Sequence, residues 1–546
     1  MIPDQNLQKS SDGPSQFAGK IEPSSLSLRV EFLGWTLLVI FLVVTFIVTF
    51  GRAPTWEDEV FVQSTAWSMV HGGQPNLSVL AMYPHTISPE RFYGPVSFQV
   101  AATLLRVFGL QTWPWRAVCF LFGISLMVLS SALILRFTGA NPWVVLAGAW
   151  VVATSSVYSS LHPGRWDPVT IGLVLSGIAL LMHAVTASWK RLAWQACGAG
   201  IFFGLAVGST PRAFPPMAGV VLGVLVAAYL DVGNRSRLMV VSVISGVSAF
   251  LVDAALLAPI GMTPWSWFRF VSTSSKGDRI NSSPVLGGSW GLNLASTKVV
   301  IILAIAMLTL GLICAIRERR ADQNSRITWK IAWTVIALAT MAFEALLVSR
   351  ALTTSIFWLP FLAISSFCWI DSEFPRDSSA GILIGTILCL ELLLPGVMEV
   401  TRMVTAVKLW RSRDSRILLS QLKDDIPPRS IVFGPIGGYF FPVEQSGSRY
   451  LYLQEETTPG LSSGVDSSAY RLRSLDVAAC TALTFVVWPR EQEGDPMPDE
   501  LSKNPKTLLH PEEADSRSSL VIYRWWGPRD CASTAPADAI TAFGPP

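Results

Sequence analysis

Charge is what this sequence has least of. Only 14% of its 546 residues are Asp, Glu, Lys or Arg, against about 25% in ordinary soluble chains. With 51% hydrophobic residues and a mean hydropathy of +0.45, a soluble enzyme is excluded and a polytopic membrane protein is expected. The net charge of +3 comes without a basic tract, so nucleic acid is not an expected partner. The seven cysteines include no Cys-x-x-Cys pair, which argues against a metal–thiolate site. Five of them (Cys119, Cys197, Cys314, Cys368 and Cys389) lie in apolar runs and read as small core residues. Internal repeats and low-complexity tracts are absent too. The first apolar run is not followed by an A-x-A cleavage site, so it reads as an uncleaved anchor. The polar residues 1–31 before it read as a disordered, cytoplasmic N-terminus.

What is present is a succession of apolar runs near the roughly 20 residues that a spanning helix needs. They occupy 32–50, 117–135, 142–161, 168–188, 192–211, 213–230, 238–260, 298–316, 331–348, 351–370 and 379–400. A shorter run, 94–109, begins Gly-Pro and contains Arg106. Short basic loops favour the cytoplasm. The loops 189–191, 234–237 and 317–330 fall inside together only if 94–109 does not cross. The expected architecture is therefore about eleven spans over 32–400. The segment 94–109 is then a re-entrant or interfacial helix within a first outer loop, 51–116. Beyond residue 401 an amphipathic stretch leads to segments 430–434, 449–453, 483–489 and 519–526, which read as strands. Residues 401–546 are expected to form a soluble extracytoplasmic α/β domain, in which Cys480 and Cys531 are candidates for a disulfide.

On this topology two acidic corners reach the outer surface. Asp58 and Glu59 follow the first span, and Asp167 stands between two later ones. Thr55 with Asp58 fits a capping box, and Asp167 followed by Pro168 fits a helix start. Capping and catalysis are compatible, since a residue at a helix start is held in place yet faces water. Asp253, Glu344 and Glu391 lie inside apolar runs. Intramembrane acids are costly and face a cavity or partner, so they suggest a polar cavity open to the outside. The same acids carry the rival reading, a secondary transporter with an ion relay. No inverted pair of Gly/Pro-broken spans accompanies them. The outer histidines His71, His85 and His162 are a weak metal signal.

Several stretches, taken in order, resemble the GT-C superfamily of membrane glycosyltransferases. These are "WEDE" (56–59), "RFYGPVSFQVAATLLRVFGLQTWPWRAVCFLFG" (91–123), "SSLHPGRWDPVTIGLVLSGIALL" (159–181) and "GLAVGSTPRAFPPMAGVVLGVL" (204–225). The resemblance implies an integral protein of the cytoplasmic membrane with its site on the extracytoplasmic side. It would transfer a hexosyl or pentosyl group, with inversion, from a polyprenyl-phosphate donor. The acceptor would be an extracytoplasmic glycolipid, polysaccharide or protein. It places Asp58 as general base, with Glu59 as its neighbour and Asp167 at the second acidic position. Tyr93 falls in the family's Tyr-Pro segment. Outward cations available for the lipid phosphate are Arg165, Arg212, Arg269, Lys276 and Arg279, with Arg91 and Arg116 as further candidates. The Trp-Trp-Asp-Tyr-Gly motif of oligosaccharyltransferases is absent, so en bloc oligosaccharide transfer to Asn is not implied. The second corner carries one acid, not a metal-binding pair; no cofactor is required, and a divalent metal is left open.

Overall fold

The computed structural model describes residues 25–50, 57–71, 93–159, 164–231, 233–269, 325–347, 357–370, 422–434, 439–452, 467–489, 507–509 and 520–526, with a few isolated positions. It is mostly helical, with a small sheet. The helices are α1 (Ser25–Thr45), α2 (Glu57–Val70), α3 (Pro95–Phe108), α4 (Thr112–Ala117), α5 (Gly123–Phe137), α6 (Pro142–Ser159), α7 (Asp167–Thr186), α8 (Trp189–Val207), α9 (Phe214–Leu230), α10 (Arg235–Leu257), α11 (Ser325–Leu347) and α12 (Leu359–Ile370). Short π-helical segments continue α1 to Phe50 and join α4 to α5. Helix therefore lies on nine of the apolar runs; 298–316 and 379–400 fall outside the described residues.

Among the described residues four helices are long and apolar enough to cross a bilayer: Arg29–Val48, Thr112–Phe137, Asp167–Thr186 and Arg235–Leu257. Their surroundings differ. α7 is buried on almost every face, the pattern of a helix surrounded by others. α1 and α10 present apolar side chains outward, Phe32, Val39, Val243 and Phe250 among them, as lipid-facing helices do. α7 packs against α5 and α8, and α8 against α10. Gly200 and Gly204 on α8, and Gly208 at its C-cap, recur every fourth residue. A Cβ at Gly200 would lie 2.4 Å from the Ser245 carbonyl, and one at Gly204 2.7 Å from that of Ala249. Small residues let helix backbones approach this closely.

α3 buries Pro95, Ser97, Phe98, Ala101, Ala102 and Leu105 and exposes Arg106, Val107 and Phe108. Its 14 residues reach about 21 Å, short of a bilayer core of about 30 Å. In α2, Glu59 to Ala66 are all buried, and the helix packs on α3.

The segments read as strands are β1 (Ile431–Gly434), β2 (Arg449–Tyr452), β3 (Thr484–Pro489) and β5 (Leu520–Trp525). A further strand, β4 (Thr507–Leu509), was not expected. The order is β2-β1-β3-β5-β4. β1 pairs with β2 and β3 in parallel, and β5 pairs with β3 and β4 antiparallel. Alternation along the strands separates two faces. Ile431, Phe433, Val486 and Trp488 pack with Leu475 and Ala478 of a helix, α14 (Ser467–Thr481). Val432, Tyr450, Phe485 and Val487 pack with Phe440, Phe441 and Val443 of a shorter one, α13 (Phe440–Gln445), in the same core as the helical bundle. The Gln445 side-chain amide donates to the Leu110 carbonyl between α3 and α4, so the sheet region touches the turn that leads into α4. Cys480 on α14 is disulfide-bonded. Cys119, Cys197 and Cys368 are free, and Cys531 lies outside the described residues.

Glu444, beside that contact, accepts the Tyr450 amide at 2.8 Å. Burial pushes its carboxyl up from 4.5 to about 7, against the opposing pull of that bond and of Arg449. The folded chain thus holds a proton that the unfolded chain releases near 4.5. The resulting stability is full below that pH and is lost as pH rises to about 7. Glu444→Gln is expected to flatten the fall in thermal midpoint between pH 4.5 and 7, measured by melting the detergent-solubilised protein across that window.

Candidate active site

Four chain segments far apart in sequence meet at one end of the bundle. The first is the start of α2. Asp58 is the second residue of the helix, since α2 begins at Glu57; this is one position earlier than a capping box led by Thr55 requires. The Asp58 side chain lies outside what the structure describes. Glu59 is fully buried against Arg116 of α4. The Arg116 Nε donates to both carboxylate oxygens at 2.9 and 3.2 Å, and Nη2 donates to Oε2 at 2.8 Å. A guanidinium bound along its edge in this way is a strong, directional partner.

The second segment is the corner Gly164–Asp167. Gly164 has a φ of +76° and lies directly over Glu59: a Cβ there would fall 2.8–2.9 Å from three Glu59 side-chain carbons. Its carbonyl accepts the Trp115 indole N–H at 2.8 Å and the Cys119 thiol at 3.6 Å. Trp115 also stacks on Trp166, ring centroids 5.1 Å apart and planes 12° from parallel. Residues 59 and 164–167, about a hundred positions apart, are therefore adjacent, as both acidic corners require if they serve one site.

Asp167 is the first residue of α7, with Trp166 as the N-cap. This is one place further in than an N-cap reading gives, and an acid in a first turn complements the helix dipole. Asp167 is 1% exposed and pairs with Arg165 at 2.7 Å and Arg212 at 3.6 Å.

Arg212 belongs to the third segment, the corner between α8 and α9, where it sits in the short 3-10 turn Pro211–Ala213. The fourth segment, Tyr93–Gly94, docks on this corner. The Gly94 amide donates to the Ser209 carbonyl at 2.7 Å, and that of Val96 to Gly208 at 3.1 Å. Tyr93 is buried. A gradient of access runs through the arginines: Arg116 is 2% exposed, Arg165 11% and Arg212 34%. Arg165 and Arg212 are thus the cations with a face toward solvent, while Arg116 is committed to Glu59.

Other sequence candidates lie elsewhere. Arg269 is exposed at the end of the short helical segment 264–269. Lys276, Arg279, Arg91, His85, His162 and Glu391 lie outside the described residues, as does the Glu344 side chain. Asp253 is buried near the end of α10. His71 is exposed and packs on Trp67. Among the described residues no three His, Cys, Asp or Glu side chains gather as a metal site. Both described acids of the corner are engaged by guanidinium groups. Sequence reading missed the Glu59–Arg116 pair and the role of Gly164. The only sequence signals were an Arg opening an apolar run and a Pro-Gly turn beside Arg165.

No known family model and no curated protein sequence matches the chain. Solved structures do share its architecture. ArnT from Cupriavidus metallidurans bound to undecaprenyl phosphate is 14% identical, over 92% of this chain and 99% of that one, with a TM-score of 0.57. The oligosaccharyltransferase of Archaeoglobus fulgidus in complex with Zn and sulfate is 13% identical, over 83% and 68%, with a TM-score of 0.51. Arranged like these two, this chain has a GT-C-like fold.

Proposed function

We propose that the protein is an integral membrane glycosyltransferase that moves a hexosyl or pentosyl group from a polyprenyl-phosphate donor to an extracytoplasmic acceptor. The observation that carries this reading is the meeting of Glu59, Tyr93, Arg165–Asp167 and Arg212 at one end of a GT-C-like bundle. A structure of that architecture is bound to undecaprenyl phosphate.

The chemistry follows from three requirements. Asp58 takes the proton of the acceptor hydroxyl. The acceptor oxygen then bonds to the anomeric carbon from the face opposite the phosphate. The bond between that carbon and the phosphate oxygen breaks, its electron pair leaving with the lipid phosphate, so the anomeric configuration inverts. Arg165 and Arg212 meet the growing charge on the departing phosphate. Asp167 holds the two guanidinium groups at one place, so little reorganisation is needed as the charge develops. Tyr93, and Arg269, Lys276 and Arg279 from the following outer loop, contact the donor. The reading routes no step through a metal.

The proposed topology is eleven spans over 32–400, with the N-terminus in the cytoplasm and residues 401–546 outside. The disulfide-bonded Cys480 supports an oxidising compartment for that region. Mass spectrometry of lipid extracts tests the function. Cells lacking the protein are expected to accumulate one polyprenyl-phosphate sugar, whose mass names the sugar class; unchanged lipid-linked sugars would remove the reading.

A further inference from the structure

We infer that Glu59 and Arg116 are positioning residues, a buried ion pair that fixes both acidic corners relative to each other and touches neither donor nor acceptor. The inference deepens the transferase reading and rests on it. Three observations carry it.

The first is commitment. The Glu59 carboxylate and the Nε–Nη2 edge of Arg116 are joined by three hydrogen bonds of 2.8–3.2 Å, with 0% and 2% of the two side chains exposed. With 2% of Arg116 exposed, a lipid phosphate could reach it only by displacing the groups that cover it, and drawing it from Glu59 would leave a carboxylate buried without its counter-charge, which is costly. Arg116 is thereby removed from the phosphate-binding cations, and Glu59 from the groups that meet substrate.

The second is what the pair supports. Gly164 rests on the aliphatic part of Glu59, and its carbonyl is held by Trp115, the residue before Arg116. Trp115 in turn stacks on Trp166, the residue before Asp167. Each member of the pair is thus one residue or one contact from a group with a proposed chemical role: Glu59 follows Asp58, and Gly164 and Trp166 bracket Arg165. The third is rigidity. The pair joins α2 to α4, and α4 runs through a π-helical segment into α5, which packs on α7. The lock is therefore anchored at both ends in packed helices.

The experiment compares Glu59→Gln, Arg116→Gln and the double variant in a purified transfer assay, with thermal midpoints and hydrogen exchange of the amides in 57–66 and 164–170. Each single variant strands a buried charge and is expected to melt early. The double variant removes both charges and is expected to recover the midpoint. Its kcat should stay about 100-fold low, the scale of a misplacement of about 1 Å. KM for the donor and the pH profile should be unchanged, and exchange at 164–170 should be faster.

Recovery of kcat with the midpoint would make the pair merely structural and overturn the proposal. A rise in donor KM at constant kcat would restore Arg116 to the phosphate. A shifted pH limb would make Glu59 a tuner of the base. Should the double variant fail to fold, Glu59→Asp keeps the charge and withdraws it by one methylene. The same fall in kcat alone is then expected, and full activity would overturn the proposal. If the wild-type protein transfers no sugar, the functional reading fails. The lock is then judged on the exchange data alone, where unchanged protection at 164–170 would sink it.

Discussion

Asp58→Asn is expected to stop sugar transfer while leaving the protein folded, inserted and at wild-type abundance. General-base catalysis contributes about 10²- to 10⁴-fold, and an amide cannot take the acceptor proton. The polyprenyl-phosphate sugar that accumulates in cells lacking the protein should therefore accumulate equally with this variant at matched expression. The lipid-extract mass spectrum reads both strains side by side. Asn is close to Asp in size, and Asp58 stands at the second position of α2, where losing a charge near the positive end of the helix costs about 0.3–1 kcal/mol. Normal transfer by Asp58→Asn would move the base elsewhere, with Asp167 the next acid to test.

The second large effect is expected at Gly164. Its φ of +76° lies in the left-handed region, which costs an L-residue about 1–2 kcal/mol. A methyl group there would also sit 2.8 Å from the Glu59 carboxyl carbon and 2.9 Å from its Cβ and Cγ. Glu59 cannot swing aside cheaply, because its carboxylate is held by Arg116. Overpacking at such a site adds about 1–3 kcal/mol. Gly164→Ala should thus lower the thermal midpoint and remove transfer together. Gly261→Ala is the control, since Gly261 is left-handed, with φ 70° and ψ 17°, but has nothing within 4 Å of its added Cβ. Equal midpoints for the two variants would show that the contact with Glu59 is not restrictive.

Most of the helical architecture was legible because a bilayer imposes long apolar runs. The run 142–161 became Pro142–Ser159, and 168–188 became Asp167–Thr186. The segment 94–109 is a short helix with one buried face. Strands β1, β2, β3 and β5 were legible from alternating apolar residues bounded by Gly and Pro. β4 was not, because three residues carry no period.

The site was legible as two acidic corners and a set of cations, but not as pairs. Nothing in the spacing ties Glu59 to Arg116 or Arg212 to Asp167; those contacts are tertiary. Arg116 read as one more outward cation because an Arg at the head of an apolar run ordinarily sits at the membrane interface. The burial of α2 was hidden for a similar reason, since Gln63, Ser64 and Thr65 look like surface residues until neighbouring helices cover them.

The wide separations between partners also set an order of events while the chain is being made. Glu59 and Arg116 are 57 residues apart, so at about 5–20 residues per second the carboxylate waits some seconds before its counter-charge is synthesised. Asp167 must wait again for Arg212. Until α9 has begun to emerge, the early helices hold an acidic pocket without its outermost cation.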